Sequence, residues 1–136
     1  MATDFAFYVD DEPGSFSKIA NILAEAGINI EGFSGTSLRG LGEGAEGRSI
    51  VRVLTDNAEL TARTLRENDI IFETEDVVVI NLLDTPGEFA RFAEELAAAG
   101  VNTTGVYTTL EHTQVVASDN PVKVKTIAAN LGCFSH

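Results

Sequence analysis

The chain has 136 residues, 44% of them hydrophobic, with a formal net charge of −12 and a single cysteine. Nucleic acid and anionic membrane surfaces are recognised by clustered cations, so 9 Lys+Arg against 21 Asp+Glu argue against both as partners. Cys133 has no intramolecular disulfide partner, and MATDFAFYVDD lacks the basic and apolar regions of a signal peptide, so a reducing, cytoplasmic setting is expected.

Phe5, Phe7 and Val9 alternate with Ala6, Tyr8 and Asp10, a period of two that predicts the first strand. DEPGSFSKIANILAEAGINIEG follows, from Asp11 to Gly32. It returns at an offset of 73 residues as DTPGEFARFAEELAAAGVNTTG, Asp84 to Gly105, which marks one unit used twice. In each copy Pro13 or Pro86 suits the first helical position. Phe16, Ile19, Ala20 and Leu23, then Phe89, Phe92, Ala93 and Leu96, form the buried stripe of a helix. Gly27 and Gly100 stop these helices, and Ile28-Asn29-Ile30 and Val101-Asn102-Thr103 open the next strands.

After a strand to Ser34, Gly35–Gly47 is glycine-rich, lacks a hydrophobic period and reads as a loop, about ten residues longer than its counterpart in the second copy. It lacks the Lys-Ser/Thr ending of a phosphate-binding loop, so a hairpin tip or lid is the preferred reading. Ser49–Leu54 is a strand, and Asp56 with Glu59 resembles a capping box opening a helix to about Asn68. Ile70–Glu75 is a strand, Asp76 a break, and Val77–Leu83 an apolar strand buried on both faces or central in a sheet. Beyond the second copy, Thr104–Leu110 and Gln114–Ser118 pair as strands. Asn120-Pro121 starts a last helix with Val124, Ile127, Ala128 and Leu131 inward, and Gly132 stops it. Cys133–His136 leave room for only a very short final strand. Each half thus reads βαββαβ, an α+β arrangement whose antiparallel four-stranded sheet carries both helices on one face.

The turn and helix start are expected to face the same region as the opening of the following strand. Helix N-terminal N–H groups favour a carboxylate, and Gly14 and Gly87 allow close approach to the backbone. Asp11 and Asp84 suit an ammonium, and Asn29 and Asn102 both donate and accept. Together these groups describe a free amino acid. Asp11 and Asp84 read equally well as caps of their helices.

Asp-x-Pro-Gly, a helix, then Ala-Gly-Ile/Val-Asn inside βαββαβ resembles the ACT domain, a small-molecule regulatory module. The resemblance implies two tandem ferredoxin-like ACT modules, residues 3–75 and 76–136, in a non-enzymatic protein that senses an amino acid at the seam between modules. The contacts it implies are Asp11, Pro13, Gly14, Ile28, Asn29 and Ile30, and Asp84, Pro86, Gly87, Val101, Asn102 and Thr103. It also implies an enzyme partner, although ACT modules usually share a chain with a catalytic domain and none stands here. A homodimer fits the incomplete final strand, whose sheet edge another chain would complete.

Other chemistry finds less support. His112, His136 and Cys133 form no metal-ligand spacing, and no cofactor motif is present. Cys133 reads as a small core residue rather than a nucleophile. Arg39, Arg48 and Arg52 read as solvated hairpin charges, with contact to a ligand carboxylate the lesser alternative. A regulatory subunit acting mainly by protein contact is the second reading. A small enzyme on a ferredoxin-like scaffold ranks last, because no nucleophile–base set can be argued from spacing.

Overall fold

The computed structural model describes residues 1–42 and 47–136; part of the expected long loop lies outside them. The fold is α+β, with antiparallel strand pairing and, among the described residues, four helices. It divides into two compact units, Asp4–Glu75, and Met1–Thr3 with Asp76–His136.

In the first unit β1 (Ala2–Asp10) lies beside β3 (Arg48–Thr55), which lies beside β2 (Ile30–Ser37). Helices α1 (Ser15–Glu25) and α2 (Ala58–Glu67) bring Ile19, Leu23 and Leu65 onto Phe5, Phe7, Val51 and Val53. These strand residues alternate along β1 and β3, so both helices cover one face. Strand β4 (Glu73–Ile80) begins in the first unit, to which Glu73–Glu75 belong, and from Asp76 on it belongs to the other unit, where β4, β6 (Gln114–Ser118) and β5 (Thr103–Thr108) are neighbours in that order. There α3 (Glu88–Ala98) and α4 (Pro121–Asn130) set Phe92, Leu96, Val124 and Ala128 against Val78, Ile80 and Val116.

Several boundaries differ from the sequence reading. The helices start one residue beyond the Pro-Gly turn: Gly14 and Gly87 are the N-caps at φ 91° and 92°, a left-handed conformation that glycine adopts without a Cβ clash. Pro13 and Pro86 therefore precede the cap. Helix α2 is capped by Asn57, whose side chain accepts from the Leu60 N–H at 3.0 Å, not by Asp56 and Glu59. Asn120 does cap α4, with Pro121 in its first turn.

Gly35–Ser37, expected in a loop, continue β2 and pair with Val51, Ile50 and Ser49. A methyl group at Gly35 would lie 2.7 Å from Phe16 Cζ, so the missing side chain makes room for that ring. Asp76 does not break a strand. It is an exposed position within β4, because a charge on the open face leaves the backbone ladder intact. Ile70–Phe72 stay outside β4; the Ile70 N–H instead bonds the Leu65 carbonyl at 3.0 Å and closes α2, with Asp69 at φ 59°. Val77–Ile80 are fully buried as expected, but the strand ends before Leu83, which is exposed.

The chain's last residues satisfy β4 themselves. Ile80 forms an isolated antiparallel bridge with Phe134, the Ser135 N–H donates to the Val79 carbonyl at 2.9 Å, and the Asn81 N–H to the Cys133 carbonyl at 2.8 Å. This stretch of edge, expected to await another chain, is covered by Cys133–His136.

Candidate functional site

The β1–α1 turn of the first unit is tied to the end of β2. The Asp11 N–H donates to the Gly47 carbonyl at 2.9 Å. Asp11 Oδ2 accepts from Ser37 Oγ at 2.7 Å and from Arg39 Nη2 at 3.0 Å. The Ser37 hydroxyl is the main cause holding the Asp11 carboxyl below its usual range; partial desolvation opposes it, and the Arg39 guanidinium adds to it. Asp11 thus neither caps α1, which has no side-chain cap, nor keeps Oδ2 open for an ammonium.

Beside this turn lies an open cleft of ≈ 420 Å³, formed where β1, the turn, the start of α1 and β3 meet. Its cations are Lys18 and Arg48 and its acids Asp10 and Glu12; Tyr8, Ile19 and Ile70 give it apolar surface. Arg48 stands opposite Asp10 across the β1–β3 ladder, with its guanidinium 4.6 Å from the centroid of the Tyr8 ring. Of the residues expected at a site in this unit, Pro13 and Gly14 line the cleft.

Ile28, Asn29 and Ile30 do not join them. Strands β1 and β2 both run antiparallel to β3, so they are parallel to each other. The register sets Asp10 opposite Arg48 and Asp4 opposite Leu54, while Ile30 stands opposite Thr55. Seven steps along β3, from Arg48 to Thr55, or about 23 Å, separate the turn end from the Asn29 end. The expectation that the turn and the next strand's opening share one region within a unit is corrected by this register. Helix α1 spends its length returning to the far end of the sheet.

At that far end Asn29 is clasped by a residue the sequence reading gave another role. The Asn29 N–H donates to Asp56 Oδ1 at 3.0 Å, and the Asp56 N–H to the Asn29 carbonyl at 3.1 Å. The second unit repeats the arrangement: the Asn102 N–H donates to Asp119 Oδ1 at 3.0 Å, and the Asp119 N–H to the Asn102 carbonyl at 3.0 Å. Val101 is buried, and Thr103 opens β5 opposite Ser118. The Asx residue that follows each βα junction at an offset of one from the helix cap was the available signal for this clasp.

Of the three arginines near the hairpin, Arg39 and Arg52 form ion pairs with carboxylates of the unit, and Arg48 lies over the Tyr8 ring. Arg39 meets Asp11, and Arg52 bridges Asp4 at 2.7 Å and Glu75 at 2.8 Å. Burial works against the Arg52 charge, but the Asp4 and then the Glu75 carboxylates outweigh it and hold its pKa above the ordinary value. Arg48 is the one of the three that lines the cleft. Tyr8 and Lys18 were missed; an aromatic at an outward position of β1 and a lysine one helical turn beyond Gly14 were the signals in the sequence.

In the second unit a cleft of ≈ 650 Å³ lies between the β4–α3 turn and the β5–β6 hairpin. Leu82, Leu83, Asp84, Thr85 and Phe89 line one side, and Thr108, His112 and Gln114 the other. Asp84 is the expected site residue found there; Pro86 and Gly87 are not in its lining. Cys133 is a buried thiol whose pKa burial pushes up, with Arg91 opposing. Among the described residues no group of three or more His, Cys, Asp and Glu is placed to hold a metal ion, and no helix is long and apolar enough to cross a membrane.

Residues 5–67 match the ACT domain model. No curated protein matches the chain. Among solved structures, a protein of Bacteroides thetaiotaomicron is similar at 20% identity and a TM-score of 0.79, over 98% of this chain and 90% of that one. The regulatory subunit of aspartate kinase from Thermus thermophilus, in ligand-free form, is similar at 19% identity and a TM-score of 0.66, over 94% of this chain and 90% of that one. The regulatory subunit of aspartate kinase from Thermus flavus follows at 19% identity and 0.62, over 95% and 90%. At these identities the likeness is one of fold.

Proposed function

We propose that this chain is a non-enzymatic, cytoplasmic regulatory protein that binds a free amino acid, and that it is built as two tandem ACT modules, residues 3–75 and 76–136. The observation that carries the reading is the first unit's cleft. All its lining residues except Ile70 lie in the segment matched by the ACT model; it is at the Pro13-Gly14 turn and presents cations and carboxylates together. Lys18 and Arg48 suit the ligand carboxylate, Asp10 and Glu12 suit its ammonium, and Tyr8, Ile19 and Ile70 suit an apolar side chain. Binding shifts the population of module arrangements only as far as its affinity differs between them. Ile28, Asn29, Ile30, Val101, Asn102 and Thr103 belong to this proposal as contributions from a second copy in a homodimer.

The test is thermal unfolding of the full chain against each free amino acid. Ligand at about 100 times its dissociation constant adds roughly 2.7 kcal/mol to stability. A shift with one or a few amino acids, lost in Lys18→Ala and Arg48→Ala, is expected. A shift that survives both substitutions would remove this cleft as the site.

The second reading is a dissociable regulatory subunit of an amino-acid biosynthetic enzyme, acting mainly by contact. It is favoured by the fold shared with separate regulatory subunits of aspartate kinase over nearly the whole chain. No response to any amino acid, together with a biosynthetic enzyme recovered in a pull-down, would favour it over the first.

A further inference from the structure

The two copies of the repeat fill one slot differently. Asp11 and Asp84 occupy the same position of the repeat, 73 residues apart. In the first unit the end of β2 and the residues after it deliver a guanidinium and a hydroxyl to Asp11, from Arg39 at 3.0 Å and Ser37 at 2.7 Å. At the same offset the second copy has His112 for Arg39 and Leu110 for Ser37. Leu110 has no donor to offer. Among the described residues the Asp84 carboxylate has neither an ion pair nor a hydrogen bond, and it is exposed in the ≈ 650 Å³ cleft.

The apolar wall changes in parallel. Phe16 packs edge-on against Phe33, 5.7 Å between centroids, and fills the space over Gly35. In the second copy these positions are Phe89, Val106 and Thr108. Val106 gives Phe89 no ring to pack on, and Phe89 is 52% exposed and lines the cleft with Leu83.

The cleft's two sides are fixed to each other. Gln114 Nε2 donates to the His112 carbonyl at 3.0 Å, and Gln114 Oε1 accepts from the Leu82 N–H at 3.1 Å, joining hairpin to turn through one side chain. The Thr109 and Thr113 hydroxyls bond at 2.6 Å across the base of the hairpin tip, which holds His112 at φ 63°.

From this internal comparison we propose that the second unit's cleft binds an organic cation, an alkylammonium or alkylguanidinium. Its charged head sits on Asp84 as the Arg39 head sits on Asp11, and its short apolar chain lies against Leu83 and Phe89. The first unit carries its own occupant of the slot, and the second is open to one from solution. This site is separate from the first unit's cleft and does not depend on amino-acid binding there.

The test is calorimetric titration of the full chain with n-butylguanidinium and, as a size-matched anion, butyrate, at constant ionic strength. We expect saturable 1:1 binding of n-butylguanidinium and none of butyrate. Asp84→Asn is expected to weaken binding about tenfold or more, and Asp76→Asn, which removes an exposed charge of β4, to leave it unchanged. His112→Arg places an internal cation in the slot, keeps Asp84, and is expected to weaken binding as well. Equal binding by Asp84→Asn and Asp76→Asn would overturn the proposal, as attraction to the net charge alone. So would binding of butyrate with equal strength, or a titration with no saturation.

Discussion

The Ser37 hydroxyl and the Arg39 guanidinium stabilise the charged form of Asp11 and do nothing for its neutral form. Its folded pKa is therefore lower than the value of about 3.9 it has in an unfolded chain. Stability from this group is present above about pH 4 and is lost as pH falls through the lower, folded value. Ser37→Ala removes the largest cause. The Asp11 pKa is expected to rise towards the ordinary value, visible in a carbon-detected NMR titration of its carboxyl, with a smaller acid-induced loss of stability than in the parent. An unmoved titration would show that Arg39 suffices without the hydroxyl.

At the scale of elements, Arg52 joins three strands by its side chain, reaching from β3 to Asp4 of β1 and Glu75 of β4. Asp4 is fully buried and Arg52 partly buried, and removing the guanidinium takes the ion-pair partner from a carboxylate in a poorly solvated place. Arg52→Ala is expected to cost about 3 kcal/mol of unfolding free energy, measured by urea denaturation. A loss under about 1 kcal/mol would mean that water reaches Asp4 once the guanidinium is gone. This contact was not legible in the sequence, where Arg52 reads as one more hairpin charge; Asp4 lies 48 residues away. What was legible is local. The spacing of Ile19 and Leu23, or of Phe92 and Leu96, reports the buried helix face because the helical period is set within a few residues. Gly27 and Gly100 report the helix ends for the same reason, at φ 74° and 72°. Asn29 was misplaced relative to the turn because its distance from Asp11 depends on strand register, which no short window of residues contains. Asp76 was misread as a break because a charge disfavours burial but not pairing.

For the whole molecule, 21 acids against 9 Lys+Arg give a self-repulsion that opposes compaction. The Arg39–Asp11 and Arg91–Glu88 contacts are surface pairs of small worth, so salt removes more repulsion than attraction. Raising sodium chloride from about 20 mM to about 200 mM shortens the screening length severalfold and is expected to raise the melting temperature. A fall would place the balance with the ion pairs instead. The close approach of Phe16 to Gly35 has a use in such measurements. With the ring 2.7 Å from where a side chain would begin, the α-protons of Gly35 lie in the ring-current field of Phe16. Their resonances are displaced from ordinary glycine shifts by an amount set by the ring's position. Phe16 is in the first turn of α1, beside the Pro13-Gly14 cleft, so movement of that helix start registers as a change in one glycine signal without any attached probe.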